Sequence, residues 1–145
     1  MNFRRARLAD LDGVLAIEGS WKTTPHWTRR QFEAEVYGPA SLFLVAEDDK
    51  GLAGYAVVWN VPPEAQLLNI AVAPARARKG VARELLQALS ILARGMGCVV
   101  MTLDVSERNA PARALYAKLG FRVVGRRPKF YNDGSDAVLM DLSLG

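Results

Sequence analysis

Apolar residues recur along the chain with two different periods, and the places where the period switches divide it into strands and helices. Phe3 to Leu8 reads as a first strand. Leu11, Val14, Leu15 and Glu18 then share one helical face, which predicts a helix from a cap at Asp10 to about Ser20. Trp21 to His26 is irregular, with Pro25 as a stop. Thr28 with Gln31 has the spacing of a capping box, and Trp27 with Phe32 that of a hydrophobic staple, so a second helix is expected to end near Gly38-Pro39. Ser41 to Glu47 and Leu52 to Val61 flank the turn sequence Asp48-Asp49-Lys50-Gly51 and read as a hairpin.

Gln66 to Ala73 is nearly all apolar, the pattern of a strand buried on both faces. Val81, Leu85, Leu89, Leu92 and Met96 form one stripe, so Gly80 to about Met96 is a helix, stopped by Gly97. Cys98 to Val105 is a second apolar strand, and Asn109 caps a short helix to Leu119, closed by Gly120. Phe121 to Tyr131 and Ala137 to Leu144 are strands joined by Asn132-Asp133-Gly134-Ser135. The order is β-α-α-β-β-β-α-β-α-β-β. Gln66 to Val105 is expected to be a right-handed βαβ unit inside a mostly antiparallel sheet, a mixed α/β class. With neither repeat nor linker, residues 1–145 read as one domain.

Composition narrows the function. Met1-Asn2-Phe3-Arg4-Arg5 leads into no apolar h-region, and no run approaches a membrane span, so a cytoplasmic protein without membrane contact is expected. One cysteine, Cys98, and one histidine, His26, leave no basis for a disulfide framework or a metal site. Cys98 opens an apolar strand and is expected to be a buried thiol. A net charge of +4 suggests an anionic ligand but is mild for a nucleic-acid binder, and no basic aromatic strip appears.

The basic residues concentrate where a ligand could use them. Arg76-Ala77-Arg78-Lys79-Gly80-Val81-Ala82-Arg83 lies between an apolar strand and a helix N-terminus, where free backbone amides and the helix dipole favour an anion. Gly80 and Ala82 let a pyrophosphate approach the backbone, and Arg78, Lys79 and Arg83 add charge. A solvated basic loop is the alternative for this segment taken alone. It is neither a P-loop nor a dinucleotide fingerprint.

The run Leu67-Leu68-Asn69-Ile70-Ala71-Val72-Ala73-Pro74, followed by Arg78-Lys79-Gly80-Val81-Ala82, resembles the signature of the GCN5-related N-acetyltransferase (GNAT) family. Asn109-Ala110-Pro111-Ala112-Arg113-Ala114-Leu115-Tyr116 and Leu119-Gly120-Phe121 resemble its second signature. Leu-Asn-Ile-Ala-Val and the tail Phe130 to Ala137 resemble the RimI branch, the bacterial ribosomal-protein-alanine N-acetyltransferases. The likeness covers essentially the whole chain.

This resemblance implies acetyl transfer from acetyl-CoA to an amine, with a protein N-terminus, possibly that of a ribosomal protein, as acceptor. Ile70, Ala71 and Val72 would offer backbone groups to the pantetheine arm and the acetyl carbonyl. Asn109 would also contact the cofactor. Asp104 would be general base and Tyr116 general acid. The peptide would lie between Trp21–Phe32 and Lys129–Asp136, held by Tyr131, with Glu18, Asp133 and Asp136 available to attract a cation. For Asn69 two readings stay open, contact with the substrate or a local bond within its strand. Two positions depart from the pattern. Ala77 stands where the family has Gln or Arg, with Arg76 or Arg78 placed to compensate, and Asp104 stands where the branch has Glu. Acetylation of a lysine or small amine, or an acyl-CoA-binding module, are the other readings these residues allow.

Overall fold

The computed structural model describes residues 1–21 and 26–145. Its elements are β1 (Asn2–Arg5), α1 (Leu11–Gly19), α2 (Arg29–Tyr37), β2 (Ser41–Asp48), β3 (Gly51–Val61), β4 (Glu64–Val72), α3 (Val81–Gly95), β5 (Val100–Ser106), α4 (Ala110–Lys118), β6 (Arg122–Arg127) and β7 (Ala137–Ser143). The seven strands form one sheet in the order β1-β2-β3-β4-β5-β7-β6. Every neighbouring pair is antiparallel except β4 and β5, the two strands joined through α3. The mixed α/β order read from the sequence is the one observed.

The local signals explain most element ends. Thr28 Oγ1 accepts from the Gln31 amide at 3.2 Å and Gln31 Oε1 accepts from the Thr28 amide at 2.8 Å, the reciprocal capping box. Trp27 and Phe32 stack with ring centroids 5.1 Å apart. Asn109 Oδ1 accepts from the Ala112 amide at 3.2 Å and starts α4. Two ends differ from the sequence pattern. The first strand stops at Arg5, and Leu8–Asp10 form a 3-10 turn. Asp10 serves that turn rather than α1: its carboxylate accepts from the Arg7 amide at 2.7 Å and from both Arg4 terminal nitrogens at 2.8 Å. The strand expected through Tyr131 ends at Arg127, because Lys129, at φ 51°, turns the chain and its amide bonds the Asp136 carboxylate at 2.9 Å. Tyr131 therefore sits on a loop.

Alternation along β2 and β3 feeds two cores, one per sheet face. Leu42, Leu44, Ala56 and Val58 pack with Val81, Leu85 and Leu89 of α3. Phe43, Val45, Tyr55 and Val57 pack with Leu11 and Val14 of α1 and Phe32 of α2. Cys98 is buried just before β5, and its thiol donates to Asn60 Oδ1 at 2.9 Å.

The strand expected to be buried on both faces is covered only in part. β4 and β5 pair over Glu64–Gln66 with Val100–Thr102 and then separate. The register between β3 and β4 slips at the same level: Val58 opposes Leu67 and Val57 opposes Asn69, so Leu68 is an extra residue. Such a bulge bends a strand, and here it accompanies the departure of β4 from β5. Leu68 to Val72 are accordingly half-buried.

Gly54 seats α3 against this opening. A Cβ there would stand 2.9 Å from the Ala71 carbonyl oxygen, 3.2 Å from Val81 Cγ1 and 3.3 Å from Leu85 Cδ1. Gly54→Ala is expected to lower stability by about 1–3 kcal/mol through overpacking. Urea unfolding should show a lower midpoint at unchanged slope. An unchanged midpoint would contradict this packing.

Candidate active site

The turn entering α3 is shaped for an anion. Arg78 and Gly80 both take positive φ, 64° and 80°, a left-handed conformation that occurs in the backbone nests that bind anions. Gly80 adopts this conformation at little cost, and no atom lies within 4 Å of where its Cβ would be. The first helical bond runs from the Glu84 amide to the Gly80 carbonyl at 3.0 Å. The amides of Val81, Ala82 and Arg83 therefore lack intrahelical partners, at the positive end of the helix dipole. Arg78 and Lys79 are exposed beside them. Arg83 reaches the Lys118 carbonyl at 3.4 Å and links α3 to the end of α4. Arg76 does not stand in for the side chain missing at Ala77. It is held by Asp48 at 2.7 Å, and the guanidinium pushes that carboxyl down to about 2. Of the two arginines placed to compensate for Ala77, Arg78 is the one left at the turn.

Behind the turn lies the opening between β4 and β5. Ile70 and Val72 pack toward α3, and Leu68 and Ala71 toward α1 and α2. The β5-facing edge of β4 has no strand partner from Leu67 onward. The Val72 carbonyl accepts from the Trp21 indole nitrogen at 2.9 Å, so this one of the expected backbone groups is already engaged. Asn69, beside the bulge, donates to Glu18 Oε2 at 3.4 Å. That bond belongs to the local reading of Asn69.

Three tyrosines gather at the opening. Tyr116 of α4 packs edge-on against Phe121 at 5.9 Å, and burial, followed by the charge of Tyr131, pushes its phenol up to about 12. Tyr55, fully buried on the α1 side, is raised far above the ordinary phenol range by burial and by its bond to Glu18, and it also feels Tyr116. Tyr131 is raised by burial and by the charge of Asp104.

Asp104 is exposed, against the expectation of a carboxylate on a buried strand. Its neighbours Leu103 and Val105 belong to the α3-side core, so Asp104 points to the other face, at a level where β5 is no longer paired with β4. Asp133 and Asp136 are occupied with the loop. Asp133 accepts from the Ser135 amide at 2.8 Å and lies 3.5 Å from Arg108. Asp136 holds the Lys129 amide and lies 3.7 Å from Arg126. Asn109 Oδ1 is spent on capping α4.

One residue carried no chemical role in the sequence reading. Arg113 lies one turn before Tyr116, and its Nε is buried without a hydrogen-bond partner among the described residues. Its cationic type within a recognised motif was the only sequence signal. Among the described residues, no three His, Cys, Asp or Glu side chains stand together as a metal site would need.

The model of the acetyltransferase (GNAT) family matches residues 8–121. The chain belongs to the GNAT acetyltransferase family. The Salmonella typhimurium ribosomal protein bS18-alanine N-acetyltransferase is 34% identical over 138 residues, 93% of this chain and 92% of that protein. The crystal structure of the ribosomal-protein-S18-alanine N-acetyltransferase from Escherichia coli superposes with a TM-score of 0.84 at 31% identity, over 99% of this chain and 94% of that one. The Salmonella typhimurium protein yncA, solved with its cofactor acetyl-CoA, has a TM-score of 0.75 at 25% identity, over 100% and 94%. The GNAT sheet and helices thus account for the whole described architecture.

Proposed function

We propose that this chain is a single N-acetyltransferase domain that moves the acetyl group of acetyl-CoA to the N-terminal α-amine of a protein, a ribosomal protein being the favoured class. The observation that carries this reading is the opening between β4 and β5, with an anion-binding turn at one end and a raised phenol inside it. The relatives named for alanine N-acetylation extend it to the acceptor.

The residues present fit acetyl-CoA. The amides of Val81, Ala82 and Arg83, with Gly80, Arg78 and Lys79, suit its pyrophosphate, and Arg113 offers an unused cationic donor on α4. The edge of β4 at Ile70, Ala71 and Val72, without a strand partner and engaged at the Val72 carbonyl by Trp21, suits an extended amide-bearing arm. Asn109 and Arg83 stand on the α4 side of the same groove. Tyr131 and Asn69 would flank the acceptor.

In the reaction the amine nitrogen bonds the acetyl carbon and the carbon–sulfur bond breaks. An α-amine near ~8 is partly neutral at physiological pH, whereas a lysine near ~10.4 is not. Asp104, exposed to water, would take the amine proton through a bound water. This suits a carboxylate one methylene shorter than the branch pattern. Tyr116 would donate a hydrogen bond to the departing sulfur, which leaves as the thiolate and takes a proton from water. A phenol held at about 12 stays protonated across the working range, and the thiol, near ~8.5, is the stronger acid. The leaving thiolate therefore competes poorly for that proton, and Tyr116 acts by hydrogen-bonding the sulfur as its charge develops.

Thiol release from acetyl-CoA should occur with Ala-, Ser- or Met-initiated peptides in preference to an internal-lysine peptide or spermidine. Tyr116→Phe should lower kcat by about 10²–10⁴-fold with CoA affinity retained. Preference for spermidine or lysine would overturn the acceptor assignment. CoA binding without turnover on any amine would make the chain a binding module. Against pH, kcat should rise through the amine range and stay level to at least pH 10.5. An unshifted phenol near ~10 would by then have lost more than half of its acid form. A fall beginning near pH 10 would contradict the role given to Tyr116.

A further inference from the structure

We propose that Arg127 and Lys129 form a specificity subsite for an acidic side chain at the second or third position of the acceptor, beside the opening that receives its amine; this rests on the reading of that opening as an amine acetylation site. Arg127 ends β6, and Lys129 follows it two residues before Tyr131. The segment they introduce is held at many points. The Lys129 amide bonds the Asp136 carboxylate at 2.9 Å, the Gly134 amide the Tyr131 carbonyl at 3.0 Å, and the Tyr131 amide the Ser135 carbonyl at 3.2 Å. Ser135, only 1% exposed, meets the Ser106 hydroxyl at 2.9 Å and ties the segment to the end of β5. These bonds maintain the left-handed backbone of Lys129, a conformation unfavourable for a residue with a Cβ.

The carboxylates of this region are already spent. Asp133 faces Arg108, and Asp136 and Glu107 face Arg126. Among the described residues no carboxylate stands at ion-pair distance from Arg127 or Lys129, and residues 22–25 carry none in their sequence. Arg127 is seated instead over the Phe130 ring, its guanidinium carbon 5.5 Å from the centroid. Phe130 in turn stands edge-on to Tyr131 at 5.1 Å. A guanidinium stacked on an aromatic face is already oriented, so it loses less freedom on meeting a carboxylate than an unrestrained side chain does.

Tyr131 links this pair to the opening. Burial and then the charge of Asp104 raise its phenol, and Tyr116 feels Tyr131 in turn. The mouth therefore has an order of charge. The exposed carboxylate of Asp104 lies on the inner side of Tyr131, and two exposed cations lie beyond it. A peptide that begins with an α-ammonium and continues with an acidic residue carries the complementary order. An extended chain advances ~3.3–3.6 Å per residue, so its second or third side chain is the one that passes Arg127 and Lys129. A basic residue there would meet like charge.

Binding to the full chain, saturated with CoA, should be measured at pH 7 for Ala-initiated peptides carrying Glu, Gln or Lys at the second or the third position. At one of the two positions the unmodified chain is expected to bind the Glu form about tenfold tighter than the Lys form, with Gln between, since each exposed charge pair contributes a few-fold. The preference should shrink in about 1 M salt, where screening acts within ~3 Å. Arg127→Gln combined with Lys129→Gln should bring the Glu-to-Lys ratio to within about twofold at unchanged CoA affinity, and each substitution alone should remove part of it. Equal binding or a preference for Lys in the unmodified chain, or a ratio that survives the double substitution, overturns the proposal. If the double variant does not fold, Arg127→Gln alone decides by the same ratio. Tight binding of an RNA oligonucleotide that the double substitution abolishes would assign the two cations to phosphate and overturn the subsite. If only small amines are acetylated, the peptide reading of the enzyme fails separately, and the binding ratio still judges Arg127 and Lys129. Failure of every peptide to bind overturns both.

Discussion

Two parallel strands that stay paired for three residues and then part leave backbone groups that must find another partner. That single constraint organises the molecule. The bulge at Leu68 bends β4 away from β5, β3 retains it on one side, and the other edge opens to solvent. α3 begins a few residues beyond the open edge, and Gly54 lets it sit close enough for its free amides to border the same groove. The antiparallel hairpins on either side need no such gap and close normally. The site is thus the place where the sheet is deliberately incomplete.

The opening also sorts the chemistry by environment. On the α3 side, burial holds Tyr116 protonated up to about 12. On the other side, Asp104 is exposed to water, while Glu18 is buried and bonded to Tyr55. A phenol on one face and carboxylates on the other suit an attack from one side and a departure to the other. The same side-chain types on a closed sheet would be either all buried or all solvated.

Much of this was legible in the sequence because short-range signals carry it. The Thr28–Gln31 box, the Trp27–Phe32 staple, the Asn109 cap and the hydrophobic stripe of α3 each require only neighbours a few residues away. The family motifs then marked the phosphate turn and the two signature segments. What could not be read depends on long-range geometry. An apolar run such as Leu67 to Ala73 is the same string whether its neighbouring strand stays or leaves, so the exposure of Asp104 was invisible. Asp10 looked like a helix cap because nothing local reveals Arg4 folding back onto it. Tyr131 looked like a strand residue because the turn at Lys129 requires a left-handed backbone that the residue type does not announce. Glu18 was noticed as an acidic residue, but its burial beneath Tyr55, 37 positions away, is a property of the packed sheet.

The parted strands and the α3 turn are together proposed to hold acetyl-CoA. Amide hydrogen exchange, resolved by residue with and without CoA, tests it most directly. The account predicts new protection at Val81, Ala82 and Arg83 and along the open edge at Ile70 to Val72. Protection confined elsewhere, for example to the hollow of about 340 Å³ between α3 and the end of β7 lined by Leu86, Ser90 and Leu144, would contradict it.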